Sequence, residues 1–110
     1  MIIATQQLEA LGAPHKEAFI AKTIAFLRKE CAEWASSKKD DEIRESVERI
    51  INIGKKHGIK KEINVQRLLY HMALKFMSIK RIENAMEVQT DMDISEDRRT
   101  KEIIRSWQIL

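Results

Sequence analysis

The chain has few of the residues that break or staple a fold: its 110 residues include three glycines, one proline and one cysteine. So few turn-formers argue against a β-rich protein, which needs a turn every few residues, and fit a helical one. A single cysteine, Cys31, excludes an internal disulfide. It falls within an apolar helical stripe and reads as a small buried hydrophobe rather than a reactive thiol. Aromatic residues make up only 5%, so the core must be built from Ile, Leu and Ala, with the five methionines as gap-fillers. No stretch approaches the ~20 apolar residues that span a bilayer. No basic N-terminal region precedes a long apolar run, so the expected location is cytoplasmic, with no membrane partner.

Charge is plentiful and unevenly placed. The chain is 34% charged with a net charge of +3. Residues 1–50 carry eight Lys/Arg against nine Asp/Glu (−1), residues 51–81 eight against one (+7), and residues 82–110 four against seven (−3). The basic character therefore belongs to the middle third. A field of that sign attracts nucleic acid, anionic lipid or an acidic protein surface.

Hydrophobic spacing predicts an all-α fold, a single domain over 1–110. Residues 3–11 suggest a short helix closed by Gly12, and Pro14 suits the first turn of the next. Phe19, Thr23, Phe26, Leu27, Cys31 and Trp34 recur at steps of three and four, one buried face of a helix about 22 residues long. Asp40 is the expected N-cap of a second helix, with Asp41 and Glu42 favourable to its dipole. Ile43, Val47, Ile50, Ile51 and Gly54 form its stripe, Lys55, Lys56 and His57 its last turn, and Gly58 its C′ residue. Ile59 then staples onto a third helix whose stripe is Val65, Leu68, Leu69, Met72, Ala73 and Phe76. A further turn or two is expected at 79–88, a polar loop at 89–94, and a last helix after Ser95 with Ile103, Ile104 and Trp107 inward. Short connections favour antiparallel neighbours, so the expected architecture is a compact bundle of three long antiparallel helices with short helices at each end.

Catalytic chemistry is hard to find. His15, His57 and His71 have no partner at i+3 or i+4 and form no metal-ligand spacing with Cys31. The run 54–61, GKKHGIKK, lacks the glycine spacing and strand context of a phosphate-binding loop. Asp91 and Asp93 lack the glycine and terminal glutamate of a calcium loop. No serine stands in a glycine-rich turn. A non-enzymatic protein without cofactor or metal is expected.

Residues 54–69 resemble a helix-turn-helix with Gly58 at the turn and a basic second helix. The register opposes that reading. The sixth and ninth positions after the glycine, which the motif points inward, are Asn64 and Arg67, whereas Val65 and Leu68 lie one step later. A slipped turn would restore the motif, so a DNA-binding regulator remains an alternative.

The order Gln7-Leu8-Glu9-Ala10-Leu11, Glu17-Ala18-Phe19 and Phe26-Leu27-Arg28 resembles small α-helical bacterial proteins encoded beside type VI secretion spike, PAAR-tip and effector genes. So does the segment with Ile43, Val47, Ile51, Lys56-His57-Gly58-Ile59, Glu62 and Val65, then Leu68, Leu69, Met72 and Ala73, and a C-terminal helix containing Arg98. The chain departs from that pattern after Phe76, where Ser78-Ile79-Lys80-Arg81 replaces an acidic loop. The resemblance implies an accessory adaptor or chaperone of a secreted effector, or an immunity protein that neutralises one. Its partner would be a spike or tip component or the effector itself, and the residues expected to meet it are Lys55, Lys56, His57, Lys60 and Lys61.

Overall fold

The computed structural model describes residues 13–88 and 93–109, without the side chains of residues 13, 88, 108 and 109. The expected helix at 3–11 and most of the loop at 89–94 lie outside these residues. Among the described residues the chain forms six helices and no strand. They are α1 (Ala13–Glu30), α2 (Ala32–Ser36), α3 (Asp40–Lys56), α4 (Glu62–Leu74), α5 (Ile79–Val88) and α6 (Glu96–Ile109).

The first long helix differs from expectation. It breaks at Cys31, which adopts φ −125° and ψ 50°, and the chain restarts as the five-residue α2. The break turns Trp34 and Ala35 into the core, at 6% and 1% exposure. Arg28 holds the corner, donating to the carbonyls of Ala35 (3.3 Å) and Lys38 (3.1 Å) and, through Nε, to Asp40 Oδ1 (2.9 Å). Asp40 is therefore not the N-cap of α3. Lys39 occupies that position, and its backbone N–H donates to Glu42 Oε1 at 2.9 Å, half of a capping box.

Lengths do not divide into three long helices and short ends either. At 14 residues, α6 is longer than the 13-residue α4. Central in the packing is α4, which contacts α1, α2, α3 and α6. Its Val65, Leu68, Leu69, Met72 and Ala73 are all 1% exposed or less. Contacts fix the directions of its neighbours. His15 and Phe26 of α1 meet Glu62 and Tyr70 of α4, so these two helices run parallel. Ser95 caps α6 as expected, its Oγ accepting from the Arg98 N–H at 3.3 Å, and Ile103, Ile104 and Trp107 are buried.

Two helix ends use the same backbone device. After α3, the Gly58 N–H donates to the Lys55 carbonyl (3.3 Å) and the Ile59 N–H to the Gly54 carbonyl (2.7 Å). After α4, the Phe76 N–H donates to the Ala73 carbonyl (3.3 Å) and the Met77 N–H to the Met72 carbonyl (3.0 Å). Both are Schellman motifs, which place C′ in the left-handed region. Gly58 is there at φ 75°, and Phe76 is there at φ 52°. Phe76, read from sequence as the last core residue of its helix, is instead 62% exposed: the left-handed turn swings its side chain off the buried face.

Candidate functional site

The basic turn between α3 and α4 is a tightly built corner. Ile59 is 1% exposed and folds its carbonyl back against α3, where a Cβ on Gly54 would lie 2.7 Å from that oxygen. Glycine at 54 is thus required by close approach. Arg99, on α6 and only 6% exposed, closes the corner from the other side. It donates to the carbonyls of His57 (2.7 Å), Gly58 (3.3 Å) and Ile94 (3.0 Å). A guanidinium presents five donors in a rigid fork, which suits it to several fixed carbonyls at once. It also brings positive charge to the C-terminus of α3, where the dipole favours it.

Below the corner, the N-termini of α4 and α6 are tied together. Glu96 Oε2 accepts from the Lys61 N–H (2.9 Å) and Asn64 Nδ2 (2.7 Å). Asp97 Oδ1 accepts from Asn64 Nδ2 (2.9 Å) and Lys61 Nζ (3.4 Å). The Asn64 hydrogen bond, aided by Lys61, holds the Asp97 carboxyl below the usual carboxylate range.

Against this frame the five expected partner-binding residues separate. Lys55 and Lys56 are exposed, and Lys60 is half-buried. Lys61 is committed to Asp97. His57 gives its carbonyl to Arg99, and its Nε2 is buried without a hydrogen-bond partner. Sequence reasoning missed Arg99, and it met Asn64 only as a position that a helix-turn-helix would point inward. The one signal for them was the opposite net charge of the middle and last thirds.

As a recognition helix, α4 would have to stand clear of the body. It is packed against four helices; Asn64 is buried, as the motif would have it, and of the two inward positions only Arg67 stays half-buried. The part of α4 that faces outward borders α1 in a groove of about 300 Å³ lined by Phe26, Glu30, Ile63, Gln66, Arg67 and Tyr70. The Phe26 and Tyr70 rings meet at 5.9 Å. Where α4 ends, Leu74 is 46% exposed and Phe76 62%.

The remaining titratable candidates are engaged in contacts within the fold. Burial, with Glu30 nearby, pushes the Cys31 thiol up and away from the reactive thiolate, and its Sγ faces the Tyr70 carbonyl at 3.8 Å. His71 stands edge-on to Tyr70 at 5.2 Å, and burial, with Lys75, lowers its pKa. His15 Nε2 meets Glu62 Oε1 at 2.9 Å, joining the first turns of α1 and α4. Among the described residues no three His, Cys, Asp or Glu side chains converge to hold a metal, and no helix is long and apolar enough to cross a membrane. No protein-family model, curated protein or solved structure matches this chain.

Proposed function

We propose that this chain is a non-enzymatic protein-binding module acting in the cytoplasm, an accessory adaptor or chaperone of a type VI secretion effector system. The bundle framed by α1, α3 and α4 serves as a rigid carrier, and an acidic surface of the partner docks at the α3–α4 corner. The observation that carries this reading is the presentation of Lys55 and Lys56, exposed on a turn that Gly54 and Arg99 hold in one conformation. A turn whose backbone is already ordered presents its lysines to an opposite surface without first folding the loop, which favours fast, salt-sensitive association. Lys60 lies at the same corner, while Lys61 and His57 support it from within.

The test is a pull-down of the tagged protein from its native lysate, with nuclease, followed by affinity measurement on the recovered partner. Replacing both Lys55 and Lys56 by Glu should leave helicity unchanged and slow association about ten- to hundred-fold at low salt. Unchanged affinity at low salt would refute the corner as the docking surface. Rescue of a toxin-producing cell by the captured pair would make the role immunity rather than delivery. Recovery of nucleic acid alone would replace the reading with the DNA-binding one.

A further inference from the structure

The outward stripe of α4 is Ile63, Arg67, Tyr70 and Leu74, at steps of four, three and four. That spacing reads the same in both directions along the helix. Two such helices laid antiparallel therefore match in one register, with Ile63 opposite Leu74 and Arg67 opposite Tyr70, each pair occurring twice. Both pairings are chemically favourable: two aliphatic side chains in one, a guanidinium over an aromatic face in the other. The α1 wall of the groove adds a charge of the right sign in the right place. Glu30 lines the same groove as Tyr70, within reach of Arg67 of a second copy in this register, and among the described residues Glu30 has no ion pair of its own.

An isologous contact requires one patch to complement itself. This one does so in spacing, in apolar content and in charge, with one cation and one anion per copy. A single-signed partner surface would satisfy only one of the two. We infer that the α1–α4 groove is the contact through which two copies of this chain associate about a two-fold axis, α4 against antiparallel α4. The twelve residues from Ile63 to Leu74 span about 17 Å of helix, so the interface is at the small end for stable complexes, and dissociation constants of about 1–100 µM are expected.

The experiment is sedimentation equilibrium on the full chain across micromolar concentrations, where the monomer mass is 12.9 kDa and a doubling should appear with concentration. Arg67→Glu and Glu30→Arg should each raise the dimer dissociation constant about tenfold or more, and the two together should bind at least about threefold tighter than either alone, short of the parent because a carboxylate at position 67 cannot stack on Tyr70. Recovery in the double variant is what misfolding cannot imitate, and circular dichroism on each variant confirms intact helices. A chain that stays monomeric to about 1 mM overturns the inference and leaves the groove to a helix of another protein. A dimer indifferent to both reversals overturns it equally, because the contact then lies on another face. Neither outcome bears on the lysine corner, whose variants keep this groove unchanged.

Discussion

Gly54→Ala should destabilise the protein, against the rule that alanine is the better helix residue. By intrinsic propensity the change inside α3 is worth about 0.8–1 kcal/mol in favour of the variant. The structure opposes it with one contact. The new Cβ would sit 2.7 Å from the Ile59 carbonyl oxygen, and that oxygen is backbone, not the free end of a flexible side chain. It cannot retreat cheaply, because Ile59 is 1% exposed and its N–H is bonded to the Gly54 carbonyl at 2.7 Å. Overpacking of this kind costs about 1–3 kcal/mol, so the net effect is a loss of up to about 2 kcal/mol, or up to roughly 8 °C in Tm for a domain of this size. Urea unfolding followed by circular dichroism measures it. The displacement also moves the His57 and Gly58 carbonyls that Arg99 grips, so Gly54→Ala and Arg99→Lys combined should cost less than their sum, by about 0.5 kcal/mol or more. A Gly54→Ala variant more stable than the parent would refute the close approach and, with it, the account of why the corner is rigid.

Other expectations follow from the same contacts. Arg99→Lys should cost about 2–4 kcal/mol in urea unfolding, since an ammonium cannot serve three carbonyls fixed in a fork and each lost charged bond is worth about 1.5–3 kcal/mol less what water recovers. Gly58→Ala should cost about 1 kcal/mol, because φ 75° is strained for any residue with a Cβ. Phe76→Gly, at the same position of the same motif, should be neutral or stabilising, and equal losses at both sites in calorimetry would refute the strain argument. Stability should fall in acid in two stages. The His71 pKa is lowered by burial, so the unfolded chain takes up its proton first and stability declines as pH drops below about 6.5. Asp97 and Glu17, held down by hydrogen bonds from Asn64 and Arg44, add stability that is present above about pH 4 and lost as pH falls through their lowered values. Urea midpoints from pH 8 to pH 2.5 should show both, and His71→Gln should remove only the upper one.

Which parts of this structure could be read from sequence depended on how far each determinant lies along the chain. For α3 the acids of the first turn, the apolar stripe, the lysines of the last turn and Gly58 are all local, and the helix ends within a residue of expectation. Ser95 and the buried face of α6 were legible for the same reason. The break at Cys31 was not, because what holds it is remote: Arg28 reaching to residues 35–40, and the Cys31 thiol facing Tyr70. Asn64 and Arg99 carry no local mark of burial at all. Each is a polar letter whose place is decided by partners 32 to 42 residues away, and a periodicity argument assigns such letters to solvent. Phe76 misled in the opposite direction. Its spacing matched the core stripe, but the helix ends before it, and no glycine or asparagine announced the left-handed turn.

The same contacts change what the +7 of the middle third means. A charge block is usually assigned to a partner, yet part of this one is met inside the chain. Lys61 faces Asp97, and the acidic start of α6 grips α4 through Asn64, so the −3 of the last third and the +7 of the middle third attract each other first within the fold. Lys61 pairs inward, and Lys55 and Lys56 are exposed on the same corner. Folding and presentation are therefore coupled: the acids that draw α6 against α4 also bring Arg99 to the carbonyls that shape the turn. High salt should accordingly weaken partner capture well before it loosens the corner, because Arg99 is buried from the ions that screen Lys55 and Lys56. Parallel loss of partner binding and of helical structure along a salt titration would show instead that one set of charges does both jobs.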